Sequence, residues 1–171
     1  IAVKTGMESS AVASITLRFT DNFALGKECS ASSGDASLAF DGDMNTRWET
    51  EWNDPQWIMV DLGKEYAVSG VKLVWQYAAG KTYKIQVSTD NSIWLDVFTV
   101  TDGAPEAILE ASFPAVNARY VRMYGTERTS TWGYSIWEFE VYANKVGIPV
   151  ISAEDSGAGQ KLITITPATS E

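Results

Sequence analysis

The sequence contains no histidine and one cysteine, Cys29, in 171 residues. Without histidine, neither a Ser-His-Asp triad nor a Cys-His nucleophile pair can be assembled. Histidine metal sites go with them, which leaves oxygen ligands and therefore hard cations. One cysteine cannot close a disulfide within the chain. Basic residues are also scarce. Thirteen Lys and Arg stand against 22 Asp and Glu, a net charge of −9. Nucleic acid and anionic membranes both demand a basic face, so neither is an expected partner. No apolar run approaches the roughly 20 residues of a membrane span. Long helical periodicity, internal repeats and low-complexity tracts are missing too. No signal peptide is visible, and Ile1 reads as a cut rather than a natural start.

What is there is aromatic and β-patterned. Hydrophobic residues make up 45% of the chain, with seven Trp and seven Tyr. That is enough for one cored domain with flanking chain. Strands are expected at Gln56–Leu62, Ala67–Gln76, Lys81–Thr89, Ile93–Val100, Ala107–Phe113, Arg119–Tyr124 and Ile136–Ala143. Val71, Leu73 and Trp75 alternate onto one face, and Tyr83, Ile85 and Val87 onto another. Turn signals such as Asp61-Leu-Gly-Lys64 separate the runs. The pattern is all-β, a sandwich or jelly roll. An alternating run at 15–19 precedes it and reads as an edge strand or the end of a neighbour. After Tyr142 comes a linker, then an alternating strand Lys161–Thr166 that reads as the opening of a second small β domain. The expected division is 1–20, 21–143 and 144–171.

Leu38 to Trp48 is the most informative stretch. Asp41-Gly-Asp-Met-Asn-Thr46 crowds two acids, a glycine, an amide and a hydroxyl, which fold tight turns and direct oxygens inward. Such a loop suits Ca²⁺, though the spacing is not that of an EF-hand, and a plain acidic surface turn is the alternative. Five further motifs stand in order along the chain, one before this stretch and four after it: Asn22–Lys27, Pro55–Gly63, Tyr83–Ser88, Ala118–Arg122 and Trp132–Tyr142. From Asp21 to Ala143 the chain resembles a coagulation-factor type C (discoidin) domain, and more closely a bacterial family 32 carbohydrate-binding module. It lacks the disulfide that ties many animal discoidin domains.

The resemblance implies a discoidin-type antiparallel β-sandwich with a structural calcium beneath its ligand loops. Carried over by position, the calcium ligands are the Leu38 carbonyl, the Asp41 carboxylate, the Asp43 carbonyl, Thr46, the Trp137 carbonyl and the Glu138 carboxylate. It also implies a glycan as partner, bound without catalysis at terminal sugars or short oligosaccharides of gluco or galacto configuration. The module would be monomeric and part of a secreted, periplasmic or cell-surface bacterial glycoside hydrolase. Sugar rings offer an apolar face to an aromatic and a rim of hydroxyls to fixed polar groups. Trp52, Trp132 and Tyr134 sit in polar loops and read as platforms, with structural plugs as the alternative. Arg47, Glu49, Gln76, Tyr77 and Arg128 read as polar contacts. For Arg47 the alternative is a salt bridge to Glu49 or Glu51, and for Arg128 a solvated charge. Trp57, Trp75, Trp94 and Trp137 lie in strand patterns and read as core. Gln76 stands where gluco-oligosaccharide binders often carry Glu, which speaks against cationic amino-sugars. The missing loop histidine speaks against galactose. A protein- or lipid-binding adhesion domain is the second reading, and an enzyme the third.

Overall fold

The computed structural model describes residues 21–144, 150–155 and 161–166. Among them are nine strands: β1 (Glu28–Ala31), β2 (Trp48–Glu49), β3 (Gln56–Trp75), β4 (Gly80–Ser88), β5 (Leu95–Val100), β6 (Ile108–Arg128), β7 (Ser135–Asn144), β8 (Val150–Asp155) and β9 (Lys161–Thr166). One 3₁₀ turn lies at Ala36–Ala39. β8 and β9 pair with each other alone as an antiparallel ribbon. The expected strand at 161–166 is β9. The expected strand at 15–19 and linker residues 145–149 lie outside the described residues.

The remaining strands form one hydrogen-bonded sheet in the order β2-β7-β3-β6-β4-β5, with β1 on β3. Two long strands fold it into a sandwich. The first part of β3, Gln56 to Asp61, pairs with β1 and with the end of β6. Its second part, from Ala67 onward, pairs with β7 and with the start of β6. Between the two parts the register breaks at Asp61/Tyr66, and it breaks again within the second part at Val68/Gly70. Asp61 Oδ1 accepts the Gly63 N–H at 2.7 Å, and Gly63 takes φ +85°. Only glycine adopts that angle without strain. Residues 61–64, expected as a turn, therefore bend the strand without reversing it. Pro114 has the same effect in β6: it lies where pairing lapses between Ser112 and Val116, as a residue without N–H must. Four expected strands are thus two.

Val71, Leu73, Trp75, Tyr83, Ile85 and Val87 are all buried, as their alternation demands. Trp75 and Tyr83 meet across the layers with ring centroids 5.1 Å apart, and Trp75 Nε1 donates to the Tyr83 hydroxyl at 3.1 Å. Phe40 stacks on Phe139 at 5.5 Å. The other tryptophans correct the expectation. Trp57, Trp94 and Trp137 are only half-buried. Arg122 covers Trp94 at 4.0 Å and Arg47 covers Trp137 at 5.2 Å. Alternation assigns a side chain to a face but does not say whether that face looks inward. The fully buried indole, beside Trp75, is Trp48, whose Nε1 donates to the Ser33 carbonyl at 2.8 Å.

Candidate functional site

The loop between the 3₁₀ turn and β2 folds on its own short side chains. Asp41 Oδ1 accepts the Asp43 N–H at 2.9 Å, and Asp43 Oδ1 accepts the Asn45 N–H at 2.9 Å. The Thr46 hydroxyl lies 2.7 Å from Asp41 Oδ2 and 2.9 Å from the Asp43 carbonyl. Three expected ligand oxygens therefore converge. Slight burial works against the Asp41 charge, but the Asp43 N–H and Thr46 hydroxyl hold its carboxyl below the usual range. Glu138 of β7 faces Asp41 and the Gly42 backbone. Its carboxylate is buried, and neither oxygen is satisfied by a well-formed hydrogen bond, the Gly42 N–H and the Asp41 carboxyl offering only weak ones. Burial, with the adjacent Asp41 charge, pushes its carboxyl up to about 7. β7 carries one residue more than β3 between the pairs Val74–Glu138 and Trp75–Ile136, and that residue is Trp137. Such a bulge leaves its backbone out of the ladder. Leu38 belongs to the 3₁₀ turn that enters the loop. Among the described residues no three His, Cys, Asp or Glu cluster. A cation here would rest on two carboxylates and neutral oxygens, the donor set of a hard divalent ion. An ionised carboxylate buried without a well-formed hydrogen bond is costly, so the residues present fit such an ion.

A depression of about 350 Å³ opens where residues 47–52, 76–78 and 132–135 meet. Seven of the eight expected sugar-site residues line it: Arg47, Glu49, Trp52, Gln76, Tyr77, Trp132 and Tyr134. Trp52 is 65% exposed and Trp132 53%. Their rings meet edge to face, centroids 4.9 Å apart and planes at 86°. Tyr77 is exposed at the rim. The Ala78 N–H donates to Gln76 Oε1 at 3.1 Å, which sets the amide's orientation. Arg47 donates through Nε and Nη2 to Glu49 Oε1, at 2.8 and 2.6 Å. The salt bridge weighed for Arg47 is therefore real, and the pair still borders the depression.

Two expectations need correction. Tyr134 is no platform: it is 0% exposed and forms the floor from beneath, its hydroxyl bound to Asp54 Oδ1. Burial first, then that bond, pushes the phenol well above its ordinary value. Gly125 leaves it room, since a Cβ there would strike the ring. Arg128 does not line the depression, nor is it a solvated charge. It pairs with Asp54 at 3.1 Å and donates to the Thr131 and Trp132 carbonyls. Thr50, Ala78, Gly133 and Ser135 line the depression without having been singled out. Gly133 carried a signal: it follows Trp132, and a Cβ there would meet the Thr50 backbone and hydroxyl.

Residues 38–123 match the family of NedA-like, galactose-binding domains of the F5/8 type C group. Among solved structures, chitosan-binding module 1 of a chitosanase/glucanase from Paenibacillus sp. IK-5 is 46% identical, with a TM-score of 0.70 over 72% of this chain and 100% of that one. The family 32 carbohydrate-binding module of C. perfringens NanJ, solved with galactose, is 26% identical, with a TM-score of 0.60 over 67% of this chain and 92% of that one. Polysaccharide lyase 8 family protein HylA of Enterococcus faecalis is 31% identical over 114 residues, 63% of this chain but 8% of the relative's length.

Proposed function

The chain belongs to the NedA-like, galactose-binding F5/8 type C domains, non-catalytic carbohydrate-binding modules, and we propose that it holds a glucosamine-containing oligosaccharide at the Trp52–Trp132 corner. The observation that carries this is the pair of exposed indoles set at right angles over a depression edged by fixed polar groups. An indole face accepts the apolar side of a pyranose, and the polar rim accepts its hydroxyls. Glu49 accepts from Arg47 through Oε1 alone, and its side chain is exposed. Together with a net charge of −9, it favours a cationic chain. The similarity to a chitosan-binding module supports this reading against the doubt raised by Gln76. Galactose is the second reading, favoured by the family's own description and by the NanJ module. A panel of glucosamine, N-acetylglucosamine and galactose oligomers tests the choice. Retention of the glucosamine series is expected, and retention of galactosides alone would reverse the order.

In this reading the oxygens of Leu38, Asp41, Asp43 and Thr46, with those of Trp137 and Glu138 on β7, hold a structural Ca²⁺. The unsatisfied Glu138 carboxylate supports it. When bound, the ion neutralises that carboxylate and fastens the loop preceding Arg47 to β7. The module serves in this reading as a targeting part of a larger secreted bacterial glycoside hydrolase or lyase, and the relatives' names, a chitosanase/glucanase and a polysaccharide lyase, support the enzyme class. The excess of acid over base, a net charge of −9, disfavours an anionic lipid surface.

A further inference from the structure

Trp52 and Trp132 stand on separate loops, 50–55 and 129–134, and something must hold the corner between them. At the inner end the Thr50 N–H donates to the Tyr134 carbonyl at 3.0 Å, and the Tyr134 N–H to the Thr50 hydroxyl at 2.8 Å. At the outer end the link is made by side chains. Arg128 Nε donates to Asp54 Oδ2 at 3.1 Å, and the Tyr134 hydroxyl to Asp54 Oδ1 at 2.5 Å. Arg128 Nη1 donates to the carbonyls of Thr131 and Trp132 at 3.3 and 3.1 Å. One guanidinium thus touches both loops, including the backbone of one of the two indole residues. Its side chain is 18% exposed, and Asp54's 31%.

We propose that Arg128, with Asp54, is a positioning residue that fixes the angle between the two indoles and so preforms the sugar site. The planar fork is the reason for arginine. It meets a carboxylate and two carbonyls at once, which a lysine ammonium on a flexible stem cannot do with the same fixed geometry. A corner held in advance spares the ordering that binding otherwise demands. The part concerning sugar rests on the function proposed above; the part concerning the indoles does not.

The test compares the full chain with Arg128→Ala, Arg128→Lys and Asp54→Asn by two readouts. The first is the exciton-coupled circular dichroism of the indole pair without sugar. The second is calorimetric titration with a glucosamine trimer at a temperature where each variant is folded. Arg128→Ala should lose the coupled signal and bind about tenfold more weakly, as expected when preorganisation is lost. Arg128→Lys, which keeps the charge, should recover part of both. If Arg128→Ala fails to fold, Arg128→Lys and Asp54→Asn decide, each expected to weaken both readouts. Variants with the parent's signal and affinity overturn the proposal, even if their melting temperature falls. A parent that binds no sugar while Arg128→Ala loses the signal sinks the sugar reading and leaves the positioning role standing.

Discussion

Glu138 is the side chain on which the proposed cation site can be tested. A buried carboxylate pushed up to about 7, with the Gly42 N–H as its one weak donor, costs stability whenever it is ionised. Glu138→Gln keeps the shape and removes the charge. In chelator this variant should be at least as stable as the parent. In calcium the order should reverse, because the parent gains RT ln(1 + [L]/Kd), about 2.7 kcal/mol at a hundredfold excess over Kd. Paired melting curves check this, and a variant that responds to calcium as the parent does would count against the site. The tight turns of this loop were legible in the sequence, because Asp, Asn and Gly at those positions favour them; the choice of oxygens for an ion came from the resemblance. The bulge at Trp137 was not legible, since register depends on a partner strand far away in the chain. The same limit explains Arg128 and Tyr134. Their segments adjoin the depression as expected, but whether a side chain reaches outward or braces a neighbouring loop depends on Asp54, which lies 74 and 80 residues away.

The bends in β3 and β6 create the sandwich, and an ion pair holds the first of them. Arg119 donates through Nε and Nη2 to the two oxygens of Asp61, both at 2.7 Å. The Arg119 bond chiefly holds the Asp61 carboxyl below its ordinary 3.8. A depressed acid contributes stability that is present above the unfolded value and lost as pH falls through the folded one. Asp61→Asn should therefore cost about 1 kcal/mol at neutral pH, a modest figure for a pair partly open to solvent. The gap to the parent should close as pH drops below about 4. Urea titrations at several pH values check this; a gap independent of pH would show that the pair contributes nothing through charge. In the sequence, Asp61-Leu-Gly-Lys64 has the composition of a turn, and composition does not distinguish reversal from bulging. The alternating strands on either side were placed correctly because their period is set by burial alone.

At the scale of the molecule, the described domain is a small acidic sandwich with a shallow aromatic site. A site of this kind binds a single sugar with a Kd of about a millimolar, at roughly 0.3 kcal/mol per heavy atom. Useful retention then depends on several modules engaging one polymer. For a cationic polymer the net charge of −9 adds a long-range attraction that salt screens. Binding of glucosamine oligomers should therefore weaken as ionic strength rises, and that of galactose should not; parallel titrations in low and high salt check the contrast. The placement of the glycan at the indole corner is tested most directly by calorimetric titration of Trp52→Ala against the parent, with whichever oligomer the panel selects. Because Trp52 is 65% exposed, its removal should alter stability by no more than about 0.5 kcal/mol. It should cost about 2 kcal/mol or more in binding. A folded Trp52→Ala protein that binds the oligomer as tightly as the parent would contradict the assignment.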